Sequence, residues 1–168
     1  MKIGDKVIYP NQGLSVIEAI RKESSDEGSN IIHLRIIANN TLVQISTSTA
    51  REIGIRRPVS EGSIRKIYDY MRSGAVDVTM DWKGRYKEHL NLMKSGALFD
   101  VATVLKSLYY LSLVKPLSFR EKKMMEKAKE LLVCEISDAA AVPSSKVEHK
   151  LLETLAHCFK DAKSRVAV

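Results

Sequence analysis

Pro58-Val59-Ser60-Glu61-Gly62-Ser63-Ile64-Arg65-Lys66-Ile67-Tyr68-Asp69-Tyr70-Met71 is where the chain changes its period. Ser60 is placed to cap a helix, and Ile64, Ile67, Tyr68 and Met71 fall at i, i+3, i+4 and i+7, one apolar stripe that Gly74 ends. Upstream of about Arg57 the pattern is different. Short runs rich in Val and Ile, Lys6 to Tyr9, Leu14 to Ile20, Ile31 to Ile37 and Thr41 to Ser46, alternate with turn residues and read as strands. Pro10-Asn11-Gln12-Gly13, Ser24 to Asn30 and Asn39-Asn40 punctuate them. A few short strands joined by tight turns predict a small barrel or strongly bent sheet of the SH3 or Tudor kind.

Downstream of Gly74 the helical period continues. A helix is expected from after Asp81 to near Gly96, with Tyr86, Leu90 and Met93 on its inner side. Leu98 to Val114 carries Val101, Leu105, Leu108 and Leu111 and stops before Pro116. Ser118-Phe119-Arg120-Glu121 has capping-box form and opens a helix through Met125, Ala128, Leu131 and Leu132. Ser145-Lys146-Val147-Glu148 repeats that form before Val147, Leu151, Leu155 and Phe159. The expectation is an α+β chain of two domains: residues 1–57, a small β-barrel, and residues 58–168, a compact five-helix domain whose helices bury one another's stripes. Ser164 to Val168 should fray.

The 168 residues suffice for one ordinary or two small domains, and 45% hydrophobic with 28% charged residues excludes disorder, collagen and a membrane protein. Met1-Lys2-Ile3-Gly4-Asp5-Lys6 puts a glycine and three charges where a signal peptide needs an apolar run, so an intracellular protein is expected. Cys134 and Cys158 stand in separate predicted helices and form neither a CxxC pair nor a disulfide framework, which fits a reducing cytosol.

No catalytic constellation is legible. His33, His89, His149 and His157 show no zinc spacing, and their ordinary reading is solvated or partly packed side chains. There is no GxGxxG after a strand, no P-loop and no GxSxG. Neither an enzyme nor a bound cofactor or metal is expected. An aromatic cage for methylated lysine is excluded as well, because the N-terminal segment offers only Tyr9.

Charge points elsewhere. Lys and Arg number 27 against 20 Asp and Glu, a net +7 that makes a polyanionic partner plausible. Residues 1–57 hold 8 basic and 6 acidic side chains, and 58–168 hold 19 and 14, so most of the excess is helical. Two clusters stand out: Trp82-Lys83-Gly84-Arg85-Tyr86-Lys87, and Arg120-Glu121-Lys122-Lys123 with Lys127 and Lys129 following. A helix start among cations is a phosphate site, and a protruding aromatic can stack on bases or wedge between them. Against this, Trp82, Tyr86 and Leu90 are spaced i, i+4, i+8, so from spacing alone the indole closes the core stripe. The lysines alone read as a solvated helix face.

These residues are recognisable. Gly4-Asp5-Lys6-Val7-Ile8-Tyr9-Pro10-Asn11-Gln12-Gly13, Gly54-Ile55-Arg56, Trp82-Lys83-Gly84-Arg85-Tyr86, Leu117-Ser118-Phe119-Arg120-Glu121-Lys122-Lys123-Met124 and Ala128-Lys129-Glu130-Leu131-Leu132 resemble, in order and distance, the CarD and CdnL family of bacterial transcription regulators. The similarity runs from the start to about Ser137, and the tail from Pro143 resembles an extra C-terminal helix of some members. The resemblance implies a Tudor-like module that binds the β subunit of RNA polymerase, and a helical domain that touches promoter DNA at the upstream edge of the transcription bubble without strong sequence specificity. It implies that Trp82 wedges into the minor groove and stabilises the open complex, with Lys83, Arg85, Lys122, Lys123 and Lys129 on phosphates. It places Leu42-Val43-Gln44-Ile45-Ser46 at the strand that pairs with polymerase, an edge offering unpaired backbone groups. A cytoplasmic, nucleoid-associated monomer with no membrane partner is expected.

Two departures stand out. Gly84 occupies a position where relatives carry a second arginine, and Gln44 and Ser46 stand where members often have arginine or methionine and proline. Two other classes stay open: a protein–protein adaptor whose charge only solubilises it, and an RNA or ribosome binder, since the Gly4-Asp5-Lys6-Val7-Ile8-Tyr9 opening is also similar to KOW modules.

Overall fold

The computed structural model describes residues 1–22, 30–76, 78 and 81–162, and the chain divides into two compact units, Met1–Pro58 and Val59–Val168. The turn expected over Ser24 to Asn30 lies outside the described residues except for Asn30, and so does the tail Ser164 to Val168.

The first unit is an antiparallel meander of β1 (Lys6–Tyr9), β2 (Gly13–Lys22), β3 (Asn30–Ile36) and β4 (Thr41–Ser46), in spatial order β1-β2-β3-β4. Asn11 and Gly13, both at positive φ, turn β1 into β2, and the Gln12 N–H donates to the Tyr9 carbonyl at 3.0 Å. Alternation sends Val7, Ile17, Ile32, Leu34 and Ile45 into one small core that Ala50 completes. The register of β2 on β3 slips between Ile17 and Ala19, a bulge that bends the strand. On the solvent side Arg35 donates from Nε and Nη2 to Glu18 at 2.8 and 3.0 Å, and from Nη1 to the Asn40 carbonyl at 3.0 Å, tying the β3–β4 hairpin to β2. Beyond β1, Ile8 and Arg56 exchange backbone hydrogen bonds of 2.7 and 3.2 Å, so the segment after β4 returns to the opposite edge.

That segment contains a helix the sequence reading did not include. α1 (Thr47–Ile53) starts at Ser46, whose side chain accepts from the Thr49 N–H, and ends at Gly54 with φ +83°. Thr47, Ser48 and Thr49 are poor helix formers, whereas the serine cap and left-handed glycine decide the local structure.

Five further helices fill the second unit: α2 (Glu61–Arg72), α3 (Trp82–Ser95), α4 (Leu98–Val114), α5 (Phe119–Ala140) and α6 (Ser144–Cys158). The described residues thus contain six helices in all. α4 is the central one, buried nearly all round through Leu98, Val101, Ala102, Val104, Leu105, Leu108 and Leu111. α5 opens on a complete capping box: the Glu121 N–H donates to the Ser118 hydroxyl at 3.3 Å and the Ser118 N–H to Glu121 Oε2 at 3.0 Å. The second expected capping box does not form. α6 begins two residues earlier, at Ser144 with Pro143 in the cap position and no side-chain cap hydrogen bond, so Ser145 lies inside the helix. Val147, Leu151, Leu155 and Phe159 nevertheless pack as their spacing requires.

Candidate nucleic-acid interface and sheet edge

Two helix starts build the candidate face. At the first, Asp81 caps α3 through the Gly84 N–H at 2.9 Å, and Trp82 is the first helical residue, 50% exposed. Gly84 fits that cap closely, since a Cβ there would meet Asp81 Oδ2 at 2.9 Å. At the second, Phe119 is the first residue of α5 and 71% exposed, with Lys123 Nζ 4.6 Å from its ring centroid. Lys83, Lys87, Arg120, Lys122 and Lys123, in the first two turns of these two helices, are exposed. Both sets of helix-start amides already have carboxylate or hydroxyl caps, so lysine and arginine side chains rather than open N–H groups supply the attraction for an anion.

The starts are held together from beneath. Arg85 Nε and Nη2 donate to Glu121 Oε1 at 3.2 and 2.5 Å, and both residues are buried, 1% and 5% exposed. Glu121 therefore serves two helices, accepting from Arg85 with one oxygen and from the Ser118 N–H with the other. Burial pushes the Glu121 carboxyl upward, but hydrogen bonds from Arg85 and Ser118 outweigh it and hold the group below its ordinary range. His89, one turn beyond Arg85 and buried, is driven down to about 4 by burial and by the nearby guanidinium, with Glu121 opposing.

The sign of the resulting acid sensitivity follows. Between about pH 6.5 and 4 the unfolded chain binds a proton at His89 that the folded chain refuses, so stability is full above that window and falls as pH is lowered through it, by up to ~3 kcal/mol. Glu121 adds its own loss lower still, below its ordinary value. Denaturant unfolding at pH 7 and pH 5 should show wild type losing more stability than His89→Gln; equal losses would mean that His89 does not drive the effect.

Arg85 is thus not a phosphate contact. Expected at the surface because of its charge, it is spent on Glu121 inside the helical unit. Lys129 is corrected in part: it pairs with Glu126 at 2.8 Å and Glu148 at 3.1 Å, its side chain is 18% exposed, and the Glu126 hydrogen bond leads in raising its pKa. It ties α5 to α6. Trp82, Lys83, Lys122 and Lys123 do lie at the surface. Phe119 was missed, although its position carried a signal. At 100° per residue it points roughly 180° away from Ala128, the fully buried centre of the α5 stripe.

The second candidate surface is β4, which ends the sheet. The Ile37 N–H donates to the Leu14 carbonyl at 3.0 Å, so odd-numbered residues of β3 turn their backbone toward β2 and even-numbered ones toward β4. With Leu34 opposite Val43 and Ile32 opposite Ile45, the outward backbone groups of β4 belong to Leu42 and Gln44. Their side chains are exposed too, while Val43 and Ile45 pack inward. Ser46 closes the strand as the cap of α1, its hydroxyl engaged with Thr49 and Ser48.

The sequence pattern of the CarD C-terminal domain matches residues 66–152, and that of the CarD-like/TRCF RID domain matches residues 1–59. Over 148 residues the chain is 30% identical to YdeB, a candidate transcription factor of Bacillus subtilis (strain 168), covering 88% of this chain and 97% of that protein. With the sheet unit and the helical unit each matched in the same order, the chain belongs to the CarD/CdnL family of transcription regulators.

Proposed function

We propose that this regulator is a non-enzymatic factor that binds the β subunit of RNA polymerase through residues 1–57 and promoter DNA through residues 58–168. Trp82 is the wedge that holds the upstream edge of the melted region open. The half-exposed indole on a helix start beside Lys83, in a helix bridged to the lysine-rich start of α5 by Arg85 and Glu121, supports this reading most directly. A planar ring in a distorted base step opposes restacking, while cations hold the phosphates irrespective of sequence. Weak DNA binding suffices because docking on the polymerase raises the local concentration at the fork. The protein acts as a monomer in the cytoplasm, at the nucleoid.

The docking element is the outer edge of β4, where Leu42 and Gln44 offer backbone groups for strand addition. Gln44→Pro tests it, because proline removes only an outward N–H and edge strands tolerate it. Capture on purified polymerase should weaken about tenfold or more, near 1.4 kcal/mol or above, with folding retained. Undiminished capture would move the contact away from this edge. Footprinting of the polymerase-bound complex then tests the DNA half: protection of the upstream fork is expected, and an unprotected fork would favour the adaptor reading.

A further inference from the structure

The helix that carries Trp82 is seated in an unusual way. The fully buried residues of α3 are Arg85, His89 and Met93, so its inner seam at i, i+4, i+8 holds one apolar side chain out of three. Tyr86, Leu90 and Leu92 pack only partly against the core. Apolar contact is non-directional and leaves a helix some freedom to roll and slide. A guanidinium on a carboxylate fixes both distance and direction. Trp82 lies three residues before Arg85, on the same side of α3, and Phe119 lies two residues before Glu121. Both exposed rings are therefore within one turn of the buried bridge.

A buried ion pair is a poor source of net stability, because stripping water from two charges offsets most of their attraction. Resting on the reading of Trp82 as a DNA-facing residue, we propose that Arg85 and Glu121 are a positioning pair that holds the starts of α3 and α5 in one fixed arrangement, so that the indole is presented at a set angle to the nucleic acid. Glu121 is the hub. One carboxylate closes the capping box of α5 and receives both Arg85 hydrogen bonds, so the two helix starts move as one body. His89, uncharged at neutral pH, fills the seam beside them without adding a competing charge.

The chain has a single tryptophan, so fluorescence excited beyond the absorption of its six tyrosines reports on Trp82 alone. The decisive variant is Arg85→Met with Glu121→Gln. It removes both charges together, leaves no unpaired buried ion, and glutamine can still close a capping box. It should melt close to wild type. Its Trp82 should show altered emission and faster iodide quenching, and with polymerase on a linear promoter its open complexes should decay about threefold faster or more. Arg85→Lys keeps the charge but loses the two-pronged geometry, so partial recovery is expected. Should the double variant fold poorly, Arg85→Lys, which keeps a cation on Glu121 and loses the fork, carries the same measurements.

A folded double variant with wild-type quenching and wild-type open-complex lifetime would overturn the proposal. Failure of the underlying reading looks different: Trp82→Ala itself would leave the lifetime unchanged. In that case the quenching measurement still decides whether the pair positions the indole.

Discussion

Trp82→Ala is expected to shorten the lifetime of promoter open complexes about tenfold while leaving folding and polymerase capture unchanged. The size of the effect follows from stacking, worth ~1–3 kcal/mol per base on an aromatic side chain, against a scale on which 1.4 kcal/mol is tenfold. Stability should barely move. The indole is 50% exposed and stands at the first position of α3, ahead of the seam formed by Arg85, His89 and Met93, so its removal opens no cavity in the core. Decay of preformed complexes after addition of a competitor measures the lifetime directly. Trp82→Phe should fall between wild type and alanine, because a smaller ring covers less of the opened base step. A lifetime indistinguishable from wild type in Trp82→Ala would remove the wedge from the account, and a matching loss of polymerase capture would relocate the defect to docking.

How much of this was legible in the sequence depended on whether the deciding interaction was periodic. The strands announced themselves through Val and Ile runs between turn residues, and α4 through its apolar spacing, because burial of those residue types is the rule. The start of α5 was readable from the serine and glutamate of its capping box, which pair over three residues without any tertiary partner. Arg85 and His89 were opaque for the converse reason. Residue type placed Arg85 outside and left His89 solvated or partly packed, and Glu121, 36 positions beyond Arg85, is a partner that makes the burial of that arginine tolerable.

The same limit hid Lys129, whose acid partner Glu148 belongs to another helix. Phe119 was passed over because it sits inside a motif that explained itself as a cap. α1 was missed because it is only seven residues long and opens on Thr47-Ser48-Thr49, which are poor helix formers, so its caps are the main evidence for it. Trp82, Lys83, Lys122 and Lys123 are exposed, and the Lys123 ammonium lies over the Phe119 ring of its own helix.

Lys106→Met is expected to cost the helical unit ~3 kcal/mol, lowering its melting midpoint by ~10 °C or more. Lys106 is fully buried on α4, and its ammonium donates to the carbonyls of Tyr70 and Ser73 at 2.7 and 2.6 Å and to the Ser73 hydroxyl at 3.0 Å. These acceptors form the C-terminal end of α2, where carbonyls lack helical partners and a cation is favoured. The Tyr70 ring, 4.2 Å from the nitrogen, supplies a further contact. Burial lowers the pKa of Lys106, so part of this bonding is offset by desolvation. The comparison with Arg85 and Glu121 is instructive, because there both charges can be removed together. Methionine at 106 keeps the apolar stem and most of the volume but leaves the Tyr70 carbonyl with only neutral donors, the Ser73 hydroxyl at 2.8 Å and N–H at 3.2 Å, and the Ser73 carbonyl with the thiol of Cys158 at 3.2 Å, a weak donor. Loss of the charge-assisted bonds, at ~1.5–3 kcal/mol each, outweighs the relief of leaving a charge in water, which fixes the direction of the change. A Lys106→Met variant as stable as wild type would show that desolvation cancels these bonds entirely. The named contacts of Lys106 lie at the ends of α2 and α6 rather than at the starts of α3 and α5. Well below its melting point the variant should therefore keep the wild-type open-complex lifetime, separating the stability of the helical unit from the placement of Trp82.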